Sequence, residues 1–144
     1  MLNYYIEERN GDKTKNFHEK CDDKGPTLTI CKEKKTDNIF GEYTEAKWDS
    51  KDRHPKSDKN AFIYSITYNK KFVSKNFENS ISCNKTCGPV FGFGGDLTID
   101  SNFLSSIGNN MWSKQKTYFD KNYEITNGNQ YFELDELEVY LVII

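Results

Sequence analysis

Cys83 and Cys87 are the residues whose type and spacing most directly suggest chemistry in this sequence of 144 residues. Lys85 lies between them, and a lysine beside a thiol lowers the thiol pKa and favours the reactive thiolate. This arrangement supports one hypothesis, in which the protein is a thiol-based peroxide scavenger that uses Cys83 or Cys87. The simpler interpretation, which we favour, is that both are ordinary cysteines in a polar loop.

A zinc site built on this pair would need further ligands, because structural zinc ions take four. Cys21 and Cys31 are the other thiols, and His18 lies one turn before Cys21 on a predicted helix. The loop with Cys83 and Cys87 would have to fold over that helix, and its ligand spacing is unusual for a zinc knuckle. We therefore predict no metal and no other cofactor. We expect free, partly buried thiols rather than disulfides, since the N-terminus lacks a secretory signal.

His18 and Asp22 are separated by the spacing at which side chains meet on one face of a helix. Such a pair can act as an oriented general base, yet no nucleophile occurs at a predictable position beside it. We therefore predict a local structural pair and no catalytic residue. His54, in a charged loop beside Pro55, is predicted to be a solvated surface residue.

The glycine-rich segment Phe91–Asp96 resembles a phosphate-binding loop, in which backbone N–H groups approach an anion. It lacks the lysine and serine of a P-loop, and no convincing helix follows it. We therefore predict a turn or bulge between two strands. Asp96 is expected to accept hydrogen bonds from the backbone of that turn.

Acidic residues gather in two places. Asp49, Asp52 and Asp58 fall in one loop without the residue order of a calcium-binding hand, so we predict solvated charges that neighbouring lysines offset. Paired carboxylates can also serve acid/base catalysis, but strand alternation separates the carboxylates of the second group. We predict that this group forms a solvated acidic edge able to meet a basic partner surface; its members are Glu133, Asp135, Glu136 and Glu138.

The charge balance argues against a dedicated nucleic-acid surface. The formal charge is −2, from 20 basic and 22 acidic residues, and only Arg9 and Arg53 are arginines, the residues best suited to bidentate phosphate contacts. A nucleic-acid-binding regulator that uses Lys32, Lys34 and Lys35 remains a third hypothesis. No apolar run approaches the roughly 20 residues of a spanning helix, so we expect an intracellular, cytoplasmic chain.

The periodicity of apolar residues predicts one helix among many strands. The helix covers Thr14–Asp23, carries Phe17 and Cys21 on one apolar stripe, and stops at Gly25-Pro26. The predicted strands are Tyr4–Glu8, Thr27–Cys31, Ile39–Thr44, Ala61–Ile66, Val90–Phe91, Leu97–Ile99, Lys116–Phe119, Tyr131–Phe132 and Leu137–Ile144. Short strands with polar turns favour an α+β, mostly-β fold, in which two antiparallel sheets pack as in a β-sandwich within a single domain over 1–144.

For several of these elements the sequence also predicts which residues are buried and which strands pair. Thr27–Cys31 places Leu28 and Ile30 on one face, and it should pair with Ile39–Thr44 through a loop at Lys32–Asn38 that is too polar to be buried. Ala61–Ile66 is apolar on both faces, which is typical of a central strand. The closing strand is expected to end inside the core. An Asn127-Gly128 turn is expected to separate the short strands Lys116–Phe119 and Tyr131–Phe132. The tryptophans, Trp48 and Trp112, are expected first in the core and second as interface anchors.

The segment Phe17-His18-x2-Cys21-Asp22-x-Lys24-Gly25-Pro26 resembles the opening signature of the TLDc (TBC/LysM-associated) domain, found in oxidation-resistance-type proteins. Later blocks agree with the family in order, and the resemblance covers about residues 4–144. The positions that match the family signature are Phe17, His18, Cys21, Asp22, Gly25, Pro26, Gly41, Tyr43, Trp48, Gly88, Pro89, Gly92, Gly94, Asp96, Glu136 and Glu138. Several blocks that occur in the family's order are specific evidence for the resemblance, whereas a single block could match by chance.

The resemblance implies a β-sandwich-like core with a few helices, no cofactor and no agreed catalytic centre. It also implies a protein-interaction domain in oxidative-stress resistance, with partners such as the vacuolar proton ATPase. The sequence departs from the family in two ways. Gly41-Glu42 replaces the usual glycine pair, which puts partner contacts at that hairpin in doubt. The opening helical segment is absent or truncated before Tyr4, which is consistent with a fragment of a longer protein and with an apolar groove open to self-association.

Overall fold

The computed structural model describes residues 2–7, 13–100, 109, 116–119, 125–126 and 129–143. This part of the chain forms ten β-strands, one α-helix and one 3-10 turn. The strands are β1 Leu2–Glu7, β2 Thr27–Glu33, β3 Ile39–Thr44, β4 His54–Lys56, β5 Phe62–Ser65, β6 Lys70–Val73, β7 Ile81–Cys83, β8 Val90–Phe91, β9 Leu97–Thr98 and β10 Leu134–Val142. Helix α1 is Lys13–Cys21, and the 3-10 turn is Phe77–Asn79. The predicted positions of Trp112 and of the Asn127-Gly128 turn lie outside the described residues.

The strands form two antiparallel sheets. One has six strands in the order β1-β10-β2-β3-β5-β6, and the other has four in the order β4-β7-β8-β9. Both sheets contribute to one hydrophobic core, with Ile63 from the first sheet and Ile81 and Phe91 from the second, each at most 1% exposed. This confirms the predicted mostly-β fold of two packed antiparallel sheets with one clear helix.

Helix α1 ends at Cys21, before the predicted end at Asp23. Asp23 adopts a left-handed φ of 60°, and its N–H donates a hydrogen bond to the Trp48 carbonyl at 2.9 Å. A residue in this conformation cannot continue a right-handed helix. The contact with Trp48 therefore ends the helix before Gly25-Pro26 is reached.

Strand β2 turns its smaller, more polar face inward. Thr27, Thr29, Cys31 and Glu33 are buried, whereas Leu28 and Ile30 alternate with them and are only half-buried. The inward space is filled by large aromatic side chains from elsewhere, including the fully buried rings of Phe40 and Trp48. Small residues on β2 make room for these rings, and the aliphatic residues take the outer face.

The loop after β2 is not fully exposed, contrary to prediction. Glu33 and Asn38 are buried, and Glu33 accepts hydrogen bonds from the Thr36 hydroxyl at 2.7 Å and the Asn38 amide at 3.5 Å. Burial raises the pKa of Glu33, while these two donors oppose the rise. Polar residues can be buried here because they form hydrogen bonds with one another.

Strand β5 is covered on one face instead of two. Ile63 is fully buried, Phe62 and Tyr64 are half-buried, and Ile66, just beyond the strand, is 61% exposed. The apolar run Ala61–Ile66 therefore does not form a strand covered on both faces. Its outward residues form part of an aromatic surface described below.

Two predictions about the C-terminal third are wrong. No strand forms at Lys116–Phe119, because the backbone amides of Thr117, Tyr118 and Phe119 donate to a buried carboxylate instead of to a neighbouring strand. The closing strand also does not end in the core, since Ile143, the residue after β10, is 50% exposed. Strand β10 is held by its middle residues, Leu137 and Val139, which are fully buried.

Glu42, on the inward face of β3, is the most unusual buried residue. Its side chain is fully buried, and neither carboxyl oxygen has a hydrogen-bond partner within the described structure. Burial raises the pKa of this carboxyl well above its ordinary value of 4.5. A buried carboxylate without a partner is very costly, so the neutral acid is the form that the fold tolerates.

We predict that Glu42→Gln stabilises the protein at neutral pH. A carboxyl whose folded-state pKa is raised contributes most stability below its unfolded-state pKa of 4.5. It loses that contribution as the pH rises toward the folded-state pKa. The free energy of unfolding should therefore fall by about 1.4 kcal/mol per pH unit across this window in the original protein. Glutamine cannot ionise, so the decline should disappear.

Urea unfolding between pH 4 and pH 8 measures this effect, with the exposed Glu45→Gln as the control variant. Equal pH slopes for the Glu42→Gln protein and the original protein would contradict the assignment of a neutral Glu42.

Candidate functional site

The predicted His18-Asp22 pair forms a polar centre at the end of helix α1. His18 Nδ1 lies 2.8 Å from Asp22 Oδ1, and its Nε2 lies 3.0 Å from the carbonyl oxygens of both Asn84 and Cys87. Asp22 also accepts a hydrogen bond from the Ser50 hydroxyl. The ring therefore joins helix α1 to the loop after β7.

This geometry is structural rather than catalytic. Both ring nitrogens of His18 face hydrogen-bond acceptors, so neither is available to take a proton from a substrate. The Ser50 hydroxyl is directed to Asp22 and not to the ring. The predicted local pair is thus present, and it is more extensive than the sequence indicated because carbonyls far along the chain complete it.

A cleft of about 600 Å³ opens beside His18. Its lining residues are mostly polar or charged, yet the surface that they expose to the cleft is mainly apolar. The Lys15 and Glu19 charges are 3.9 Å apart, and Lys85 lies 2.9 Å from Asp52. The cleft is lined by Thr14, Lys15, His18, Glu19, Ser50, Lys85 and Thr86.

The four cysteines are free, as the sequence predicted. Burial raises the pKa of Cys83 to about 11 and also raises the pKa of Cys87. Lys85 pairs with Asp52 at 2.9 Å instead of activating a thiol. The expectation that Lys85 lowers a thiol pKa is therefore wrong, and the peroxide-scavenger hypothesis loses its main support.

We predict that the native protein shows one readily modified thiol. Cys87 is half-buried, whereas Cys21, Cys31 and Cys83 are buried. Reaction with dithio-bis-nitrobenzoate at pH 7 should label Cys87 first, and Cys87→Ser should remove this fast phase. Guanidinium should expose all four thiols. Modification of Cys83 at the rate of Cys87 would contradict the buried, protonated state.

The glycine-rich segment forms a turn between β8 and β9, as predicted. The amides of Gly92, Phe93 and Gly95 donate to the carbonyls of Ser80, Asn79 and Gly92 at 2.9 to 3.2 Å, which leaves these groups unable to cradle an anion. Gly92 has a φ of 83°, and a Cβ there would lie 2.4 Å from Asp96 Oδ1.

Asp96 bonds to a different segment than predicted. Its carboxylate accepts hydrogen bonds from the backbone amides of Thr117 at 3.2 Å, Tyr118 at 2.9 Å and Phe119 at 3.3 Å. The side chain is 1% exposed. Asp96 therefore fixes a distant segment to the turn, a role that short-range sequence patterns cannot indicate.

We predict that Asp96→Asn destabilises the fold by about 2 to 3 kcal/mol, because hydrogen bonds to a charged acceptor are replaced by weaker ones and one amide loses its partner. Urea unfolding at pH 7 measures the loss. Asp135→Asn is the matched control, since Asp135 is exposed. An unchanged midpoint for Asp96→Asn would show that the carboxylate is not required.

Two of the three aspartates in the predicted solvated loop, Asp49 and Asp58, are buried, whereas Asp52 is exposed as predicted. Asp58 accepts hydrogen bonds from the Thr44 hydroxyl at 2.6 Å and the Glu45 amide at 2.7 Å. Asp49 bonds to His54, so His54 is half-buried instead of being a free surface residue. Strand β4 forms within this loop by pairing with β7, and Asp49 contacts its His54 and Lys56 side chains.

The lysine hairpin and the acidic run are close to each other. Lys34 lies 3.8 Å from Glu133, and Lys32 lies 3.9 Å from Asp37. Strand β10 is not an edge strand, since it lies between β1 and β2, but its acidic residues Asp135 and Glu136 are exposed to solvent as predicted. Acidic partners reduce the positive charge that the nucleic-acid hypothesis requires.

One surface was missed by the sequence analysis. Strand pairing places five residues side by side across the outward face of the six-stranded sheet. We call this set the outer row; it consists of Tyr140, Leu28, Tyr43, Phe62 and Val73. The alternation of inward and outward residues in β2 and β5 could have indicated this surface. In β5, however, the outward residues were predicted to be buried.

The family-signature residues are distributed over several parts of the fold. Phe17, His18, Cys21, Asp22 and Trp48 meet at the end of helix α1, with Phe17 and Trp48 ring centroids 5.4 Å apart. Gly88, Pro89, Gly92, Gly94 and Asp96 lie around the β8–β9 turn, whereas Gly41, Tyr43, Glu136 and Glu138 belong to the six-stranded sheet.

Gly41 has a clear packing reason. A Cβ at this position would lie 1.9 Å from the Thr29 carbonyl oxygen and 2.3 Å from the Tyr64 hydroxyl. The Tyr64 hydroxyl donates to that same carbonyl at 2.8 Å. Glycine is therefore required for Tyr64 to cross strand β3.

A model of the TLDc domain matches residues 1–143, and no curated protein matches the sequence. None of the helices in the described residues has the length and apolar character needed to cross a membrane. The match covers almost the whole sequence, and the chain therefore belongs to the TLDc domain family.

Proposed function

We propose that this protein is a non-catalytic interaction domain that docks on the vacuolar proton ATPase as part of an oxidative-stress response. Membership of the TLDc family supports a TLDc-type function. The observation that carries the docking proposal is the outer row, an aromatic and aliphatic strip across the six-stranded sheet. The arrangement of His18 supports the absence of catalysis at the polar centre.

The outer row is continuous across five strands. Tyr140 is paired with Leu28, Leu28 with Tyr43, Tyr43 with Phe62, and Phe62 with Val73. The Tyr43 and Phe62 rings stack with centroids 5.1 Å apart. Four members are half-buried and Val73 is 58% exposed.

Such a strip is well suited to protein recognition. The rings are held by their neighbours in the sheet, so little side-chain entropy is lost when a partner covers them. Aromatic residues are enriched in the centres of protein interfaces, and they contribute a large share of binding energy there. Exposed apolar strips are otherwise unfavourable in water.

Charged groups border the strip and provide a polar rim. The Lys71 ammonium lies 4.2 Å from the centroid of the Phe62 ring, and the Tyr43 hydroxyl donates to Glu45 at 3.2 Å. An apolar centre with charged groups at its border is the usual organisation of a protein interface. A partner surface with a protruding apolar segment and mixed charges around it would complement this face.

We predict that Val73→Asp weakens binding to purified vacuolar proton ATPase by at least tenfold, because the partner would have to bury a charge against the outer row. Biolayer interferometry with the immobilised domain measures the change. Phe77→Asp is the matched control, since Phe77 is 55% exposed but lies in the 3-10 turn before the four-stranded sheet. It should bind as the original protein does.

Two outcomes would overturn the proposal. Absence of binding by the folded original domain would remove the ATPase as partner. Equal losses for Val73→Asp and Phe77→Asp would show that the outer row is not the docking face.

A further inference from the structure

A second polar cluster lies on the four-stranded sheet, away from the outer row. Asp49, His54 and Cys83 bring a carboxylate oxygen, an imidazole nitrogen and a thiol sulfur within 4.8 Å of one another. His54 Nε2 is 2.9 Å from each Asp49 carboxylate oxygen. Asp49 and His54 are five residues apart, but Cys83 is distant from both in the sequence, so the fold brings its sulfur to the pair.

The fold holds these donors in place before any ligand binds. His54 on β4 and Cys83 on β7 are directly opposite each other in the antiparallel pairing. Asp49 is fixed by a hydrogen bond from the Lys51 amide to Oδ1 at 3.0 Å. Cys83 is fully buried and Asp49 is 8% exposed, whereas His54 is only half-buried, so the cluster is reached from the His54 side.

We propose that Asp49, His54 and Cys83 form a binding site for a zinc ion. Zinc accepts this combination of oxygen, nitrogen and sulfur ligands at about 2.0 to 2.3 Å, and three protein ligands leave a fourth position for water. Corners of such a tetrahedron are about 3.3 to 3.8 Å apart. Small side-chain rotations bring the three donor atoms to these separations.

This ligand set differs from the one considered from sequence. Cys87, Cys21 and His18 do not belong to the cluster, and His18 is fully engaged with Asp22 and two carbonyls. The spacing of Asp49, His54 and Cys83 does not match the metal-binding motifs considered from the sequence. The sequence therefore did not indicate this cluster. The proposal does not depend on docking to the vacuolar ATPase.

Lys56 is the chief competitor for the site. Its ammonium lies 3.0 Å from Asp49 Oδ2 and also donates to the Lys47 carbonyl. Its side chain is 27% exposed, so it can turn to solvent when a metal ion takes over the charge of Asp49. The ammonium shows that this position already accommodates a cation, and it will lower the affinity for metal.

Zinc binding has a simple proton balance. The Cys83 thiol releases one proton to water and binds as the thiolate. His54 Nε2 carries a proton toward the Asp49 carboxylate in the free site; this proton passes through solvent to Nδ1, and the neutral ring then binds zinc through Nε2. The carboxylate of Asp49 binds without proton exchange. Asp22 lies near enough for its charge to act on Cys83, and it adds to the negative potential that favours a cation.

Titration of the full chain with cobalt(II), a spectroscopic substitute for zinc, tests the site. We expect a sulfur-to-cobalt charge-transfer band in the near ultraviolet, and zinc should abolish it by displacement. Cys83→Ser should remove the band, and His54→Gln should weaken cobalt binding at least tenfold. Lys56→Gln should tighten cobalt binding several-fold, because it removes the competing ammonium while keeping the ligands.

Cys87→Ser and Asp52→Asn are the matched controls, since both residues lie nearby in the sequence but outside the cluster; both variants should behave as the original protein. Circular dichroism confirms that each variant is folded. Absence of a charge-transfer band in both the original protein and the Lys56→Gln variant at millimolar cobalt would overturn the proposal. A band lost in Cys87→Ser and retained in Cys83→Ser would overturn it equally.

Discussion

Trp48 is the residue on which the arrangement of this protein most depends. Its ring is 1% exposed and packs against Phe17 of helix α1 and Phe91 of strand β8, with centroid separations of 5.4 and 6.0 Å. Its indole N–H donates to the Thr27 hydroxyl at 3.0 Å, and its carbonyl accepts the Asp23 amide at 2.9 Å. One side chain thus joins the helix to both sheets. The His18-Asp22 pair holds its position at the end of helix α1 because this contact fixes the helix.

Buried carboxylates provide a second level of organisation. Asp96 and Asp58 each accept several hydrogen bonds from backbone amides or hydroxyls, so their burial is compensated and they hold irregular segments in place. Within the described part of the chain, Glu42 has no such compensation. It lies on the inward face of β3, and the fold tolerates it as a neutral acid. The difference shows that hydrogen-bond partners, and not burial alone, determine what a buried carboxylate contributes.

The two proposed sites belong to different sheets and use different physics. The outer row of the six-stranded sheet offers apolar area with little polar content, which suits a protein surface. The cluster on the four-stranded sheet offers charged and soft donor atoms in a small space, which suits a metal ion. Mutations at one site should therefore leave the other unaffected, because residues without shared contacts contribute independently. This separation allows docking and metal binding to be tested one at a time.

The sequence by itself determined the family, the antiparallel β fold, helix α1 with its His18-Asp22 pair, and the turn at Gly92. Each of these depends on short separations along the chain, such as the four-residue repeat of a helix or the alternation of a strand, and local geometry enforces them. The tertiary structure decided which face of β2 is buried, which amides Asp96 binds, and that Asp49, His54 and Cys83 meet. These features depend on packing between segments far apart in the chain, where side-chain volume and hydrogen-bond satisfaction select among patterns that the local sequence leaves equivalent.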